Sequence, residues 1–276
     1  MTRLILIFFT GTALLLSCNV MNLQPVPGLP AFPGHATATF DQQHCAESSG
    51  IVYSASRNTL FVVDDEGDIC ELRTDGTLLK KGRIHKTDLE GITLNPATGM
   101  LYALDERADA ILEIHPEKLA VLRRLPLDIT PAIRLPGNKD NRGFEAITFV
   151  ADPDDASDGI FFLASQGWSA KQPAAVFNTT APLSTFVADK PVQINHSFKP
   201  GISDLSGLHF DIASGWLLLI SDEHNTLLLI TTGGAVQASY ALPGENQEGI
   251  TLDAAGHLYV TEDTGNIIKY SFPAMP

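Results

Sequence analysis

The sequence predicts an all-β fold, a single β-propeller. Three observations point to it. A sheet motif recurs at intervals of roughly 40 to 60 residues, each copy reads as short apolar strands separated by turns, and no long helical pattern competes.

The copies follow in order. The first reads ESSGIVYSASRNTLFVVDDEGDICEL (Glu47 to Leu72) and the second DLEGITLNPATGMLYALDERADAILEI (Asp88 to Ile114). The third, GFEAITFVADPDDASDGIFFLASQG (Gly143 to Gly167), is looser, while SDLSGLHFDIASGWLLLISDEHNTLLLI (Ser203 to Ile230) and NQEGITLDAAGHLYVTEDTGNIIKY (Asn246 to Tyr270) return to the plan. The residue before the repeated glycine marks each unit: Ser49, Glu90, Glu145, Ser206 and Glu248, with Ala146 in place of glycine in the third. A four-stranded meander cannot bury both faces alone, so neighbours must pack against it, and repetition closes a ring. Five units imply five blades. An alternative places a sixth in Leu119 to Arg142 or Pro173 to Lys199. The last unit runs out of chain after its third strand, and the segment Ala36 to Asp41 is expected to supply the outer one and close the ring.

Ahead of the propeller, Arg3 precedes the apolar runs Leu4 to Phe9 and Ala13 to Leu16, too short to span a bilayer and typical of a secretory signal over residues 1–17. Leu15, Leu16, Ser17 and Cys18 resemble the bacterial lipobox, which implies lipid on Cys18; the alternative is an ordinary signal cut elsewhere. Residues 18–35, with Pro25, Pro27, Pro30 and Pro33, read as an extended tether, because proline lacks the donor that regular elements need. The propeller is expected over 36–276. Asn19 is not the aspartate that resembles an inner-membrane retention signal. The expected location is therefore the bacterial outer membrane, facing the periplasm, with the membrane reached through lipid on Cys18.

A formal charge of −14, from 32 acidic against 18 basic residues, excludes nucleic acid as a partner. Cys45 and Cys70 either pair in an oxidising compartment or stay as two buried thiols. The inner strand of a blade starts on the face where the second strand ends, so acids at those places should gather round the axis. Candidates are Glu90, Glu145 and Glu248 at the markers, Glu47 and Asp204 two residues before the serine markers, and Asp65, Asp105 and Asp222 at strand ends. Like charges there repel, and a hard cation that takes six to eight oxygens, calcium, relieves them. The bland alternative is a solvated acidic rim. No nucleophile elbow, Walker loop, HExxH or CxxC is present. His209, within an apolar strand, reads as a packed residue, and Trp168 and Trp216 as blade packing or a binding surface.

The EGIT, FEAIT and LSGL strand entries, with LDER, SDEH and TED strand ends, resemble the SdiA-regulated (YjiK-like) family over roughly Glu47 to Tyr270. That resemblance implies a five-bladed propeller distantly similar to NHL-repeat proteins, a calcium site in the channel and no established reaction. The expected function is a calcium-binding module that presents one face to an unknown protein or glycan. The alternative is a calcium-dependent hydrolase, a phosphoesterase or lactonase, working in the acidic channel.

Overall fold

The computed structural model describes residues 28–41, 43–129, 143–167 and 174–271. After β1 (His35–Asp41) the chain builds its sheets in sequence order. β2 (Ser48–Ser54), β3 (Thr59–Asp64), β4 (Asp68–Arg73) and β5 (Leu78–Arg83) form the first blade. β6 (Leu89–Leu94), β7 (Leu101–Asp105), β8 (Ala110–His115) and β9 (Ala120–Asp128) form the second. β10 (Phe144–Ala151), β11 (Gly159–Ser165), β12 (Ala175–Thr179) and β13 (Val192–Phe198) form the third. β14 (Leu205–Asp211), β15 (Trp216–Ser221), β16 (Thr226–Thr231) and β17 (Val236–Ala241) form the fourth. β18 (Gln247–Leu252), β19 (His257–Glu262) and β20 (Asn266–Ser271) form the fifth, and β1 pairs antiparallel with β20 as its outer strand, from His35 opposite Ser271 to Asp41 opposite Asn266. The inner strands close a ring, β2 on β6, β6 on β10, β10 on β14, β14 on β18 and β18 on β2.

The segments weighed for a sixth blade complete the neighbours instead. Ala120 to Asp128 is the outer strand of the second blade, and β12 and β13 finish the third; residues 130–142 lie outside the described residues. A two-residue parallel pairing, Val192 with Leu127 and Gln193 with Asp128, joins those two blades at their rims.

Burial explains the strand patterns. A blade is covered on both faces by its neighbours, so middle strands read as unbroken apolar runs: every residue of β3 and of β7 is buried. Alternate residues then serve opposite interfaces. Phe61 and Val63 pack toward Ile92 and Leu101 of the second blade, while Leu60 and Val62 pack toward Tyr259 and Ile267 of the fifth. Each junction between successive blades holds its own apolar cluster; the one between the second and third is aromatic, with Tyr102, Phe144, Phe149, Phe161 and Phe177. Trp216 packs at the edge of the cluster between the fourth and fifth, so it serves blade packing; Trp168 lies outside the described residues. Outer strands have one wet face and alternate, as β5 does.

The repeated glycines have a steric cause. A Cβ on Gly91 would stand 2.8 Å from Ala146 Cα and 2.9 Å from Ile147 N, and one on Gly50 would stand 2.8 Å from Gly91 Cα. A Cβ on Gly249 would stand 2.9 Å from Gly50 Cα. Backbones therefore meet backbones around the axis, and the space left there is about 10 Å³, room for about one water. The GIT threonines clamp the same ring: Thr93 Oγ1 accepts from Phe149 N–H (3.1 Å), Thr148 from Phe210 N–H (2.9 Å) and Thr251 from Tyr53 N–H (3.1 Å).

Closure is reinforced covalently. Cys45, between β1 and β2, forms a disulfide with Cys70 of β4, Cα to Cα 6.4 Å, which resolves the two alternatives for these thiols in favour of pairing. Restricting a loop of 25 residues in the unfolded chain contributes about 3 kcal/mol. Among the described residues no helix is long and apolar enough to cross a membrane.

Candidate metal centre at the acidic end of the axis

Register decides which acids reach the axis. In the five blades the first inner-strand residue pairs with the last residue of the second strand: Ser48 with Asp64, Leu89 with Asp105, Phe144 with Ser165, Leu205 with Ser221, Gln247 with Glu262. Every inner strand then breaks register at or just after its marker: Ser49, Glu145, Ser206 and Glu248 are left without a partner, while in the second blade Glu90 pairs with Leu104 and Gly91 is the residue passed over. The shifts fall between Ser48 and Gly50, Glu90 and Ile92, Phe144 and Ala146, Leu205 and Gly207, and Gln247 and Gly249. A bulge adds a residue without a partner and re-aims its side chain.

The marker glutamates of three blades come together. Glu90 has its carboxyl pushed well above the ordinary range by burial and then by the charges of Glu145, Glu248, Glu106 and Asp88. Burial, then Glu106, Asp204 and Asp88, push Glu145 up to about 8. Glu248 is also raised, by burial and then by Asp222, Glu145, Asp204 and Asp263. Among the described residues no hydrogen-bond donor or cation reaches these three carboxylates. Charge is thus concentrated where solvation is poor.

Around them stand acids from the strand ends. Asp222 is pushed up to about 6 by burial and Asp204, although its Oδ1 accepts from Gln247 N–H at 3.0 Å. Asp204 sits in the left-handed region at φ 58°, is itself raised by burial, and accepts from Glu223 N–H at 3.0 Å. Glu106 accepts from Gly143 N–H at 2.6 Å and lies against that glycine, where a Cβ would fall 2.3 Å from its Cγ. Asp88, Glu90 and Glu106 can bring one oxygen each within 4.8 Å of one another. A second group, Glu47, Asp65 and Glu66, meets the same limit. There Asp65 is pushed up to about 7 by burial and then by Glu47, and its buried Oδ1 has no hydrogen-bond partner among the described residues.

Asp105 belongs elsewhere. It is the paired last residue of β7, equivalent to Asp64, Ser165, Ser221 and Glu262, and its carboxylate turns into the blade to meet Arg124 of β9. Glu106, one residue on, holds the position of Asp65 and Asp222. A one-residue slip along a strand exchanges its faces, and here it exchanges an acid at the axis for an internal ion pair. Asp88 was missed although it stands two residues before its marker, as Glu47 and Asp204 do.

The serine markers have a different task. Ser49 Oγ donates to Leu89 O of the second blade, and Ser206 Oγ donates to Gln247 O of the fifth, so both tie adjacent inner strands. Nearby cations stay on the rim. Arg107 reaches Asp88 at 3.4 Å and Arg83 reaches Glu66 at 3.2 Å, both through exposed side chains; Arg142, Ser169 and Cys18 lie outside the described residues.

Solved structures with the same architecture include enzymes and a chain of a protein complex. A glutaminyl cyclase from Myxococcus xanthus superposes with TM-score 0.59 at 12% identity, covering 90% of this chain and 97% of that one. A gluconolactonase from Xanthomonas campestris gives 0.52 at 15%, covering 91% and 99%. A chain of a nidogen–laminin complex gives 0.50 at 14%, covering 79% and 73%. At such identities these likenesses establish the propeller fold. The sequence model of the SdiA-regulated family matches residues 36–270, and on that match, with the repeat and the ring it builds, the chain belongs to the SdiA-regulated family.

Proposed function

We propose that this propeller binds calcium at its acidic end and serves as a calcium-dependent binding module for a protein or glycan of the bacterial envelope. One observation carries the reading: Asp88, Glu90 and Glu106 can converge within 4.8 Å, and Glu90, Glu145 and Glu248 crowd the same end closely enough to raise one another's carboxyls. A hard cation accepts many oxygens in flexible geometry, which suits carboxylates arriving from several blades. Glu145, Glu248, Asp204 and Asp222 would complete the set around it. Glu47 and Asp65, with Glu66, would form a lateral group.

Calorimetric titration of the purified protein with calcium tests this, and two variants sharpen it. Glu106→Gln is expected to weaken binding on the order of tenfold or more while leaving the chelated protein as stable as before. Asp105→Asn is expected to cost about 1.5 to 3 kcal/mol of stability, through the charged bond that its buried carboxylate makes with the partly exposed Arg124, and to leave calcium affinity unchanged. No saturable heat, or a reversed pattern in the two variants, rejects the assignment.

The second reading is a calcium-dependent hydrolase, a phosphoesterase or lactonase. It is favoured by Glu145, a carboxylate that stands close to Glu106, Asp204 and Asp88 and would serve as a general base beside the proposed ion. Metal-dependent turnover of lactones or phosphoesters that disappears in Glu145→Gln would replace the first reading. The lipobox-like Leu15 to Cys18 and the proline-rich tether support placing the module on the outer membrane, facing the periplasm. Palmitate labelling of the intact protein, lost in Cys18→Ser, is the expected result; unlabelled wild-type chain overturns it.

A further inference from the structure

The other end of the axis carries a second, separate cavity. Where the inner strands finish, opposite the acidic end, a hollow of about 230 Å³ opens. The glycine ring leaves only about 10 Å³ between them, so nothing larger than a water fits there. The hollow is below the roughly 300 Å³ at which drug-sized sites begin, so it suits a fragment-sized molecule. Its walls include Tyr53, Phe149 and Phe210, and among the described residues no lysine or arginine lines it. Asp211 and Asp253 line it too; Asp253 is held below the ordinary carboxylate range by hydrogen bonds from His257 and Tyr259 that outweigh its burial.

His209 stands out at this site. In the repeat it occupies the place of Thr93, Thr148 and Thr251, whose hydroxyls bind the next blade's backbone. The partly buried imidazole does no such work: among the described residues it has no hydrogen-bond partner, and it lines the cavity. The ring is only partly buried, so its nitrogens are open to the hollow and available to a ligand there. Burial lowers the ring to about 4, which leaves it neutral and able to accept a hydrogen bond at physiological pH.

We propose that this cavity binds a small organic ammonium compound with an aromatic or alkyl body, its N–H groups donating to His209 beside Asp211 and Asp253. Charge selects the cation, since two carboxylates at a hollow that no described lysine or arginine lines repel an anion, and aromatic faces attract an ammonium group. The site is independent of the metal proposed at the other end.

The test is titration of the calcium-saturated protein with 2-phenylethylammonium, 2-phenylethanol and 3-phenylpropionate, read by calorimetry and by the His209 ring resonances. The ammonium compound is expected to bind about tenfold or more tightly than the alcohol, to shift the His209 signals, and to leave the bound calcium in place. The carboxylate is expected not to bind. His209→Thr installs the residue that three other blades carry here and should fold; it is expected to weaken ammonium binding about tenfold with calcium affinity unchanged. Asp211→Asn should weaken the ammonium compound and not the alcohol. Equal binding of alcohol and ammonium, unchanged affinity in His209→Thr, or displacement of calcium by the ammonium compound each overturn the proposal.

Discussion

Gly91→Val is expected to cost upward of about 3 kcal/mol and to leave little cooperative unfolding, as read by urea titration followed by far-ultraviolet circular dichroism. The cause is space rather than conformation. Gly91 is absent from the positions with positive φ, so its backbone suits any residue. Yet a Cβ would lie under 3 Å from Ala146 Cα, Glu145 O and Ile147 N, and all three atoms are backbone. A flexible side chain can rotate away; a neighbouring inner strand cannot move without opening the ring. Gly207 provides the internal contrast, because a Cβ there meets the side chains of Ile220 and Ile250 instead. Gly207→Ala should therefore cost clearly less than Gly91→Ala. If the two alanine variants are equally stable, the backbone contact round the axis is not what makes the glycine recur.

Much of this architecture was readable because repetition lends weight to short motifs. Five markers fixed the inner strands, and the stretch Ala36 to Asp41 was correctly expected to close the ring, since the last unit lacked an outer strand. The alternative of a sixth unit arose because the rim joins the second and third blades through loops and a short parallel pairing that no pattern announces. At the acidic end, convergence of Glu90, Glu145 and Glu248 followed from the shared marker position. What sequence alone could not supply was the register. Asp105 and Glu106 are adjacent acids, and only the pairing of Leu89 with Asp105 shows that the first closes the strand and the second faces the axis. Nor does a sequence show a bulge, although all five inner strands use one. The serine markers looked like gaps in a ligand ring; they are hydrogen-bonded ties between blades, a role visible only once Leu89 O and Gln247 O are in place.

In chelator the protein is expected to lose thermal stability as pH rises from 5 to 8, and in calcium to gain it. The sign follows from proton linkage. In the unfolded chain these carboxyls titrate near 4. In the native state Asp222 is pushed up to about 6, Asp65 to about 7 and Glu145 to about 8, with Glu90 and Glu248 raised as well. Between those limits the native state holds protons that the unfolded state has released, so stability is greatest near the unfolded values and falls as pH climbs through the folded ones. Carboxyls held low, such as Asp253 with its bonds from His257 and Tyr259, act in the opposite sense only below about pH 4 and leave this window alone. A bound divalent ion supplies the countercharge, keeps the cluster ionised in the native state and reverses the slope, because protons now compete with the metal. The expected difference at pH 8 between calcium and chelator is on the order of 10 °C in Tm, and near pH 5 only a few degrees. Glu145→Gln should flatten the chelator curve by removing a charge that burial opposes. Parallel curves with and without calcium would mean that the acids at this end are solvated independently and share no ion.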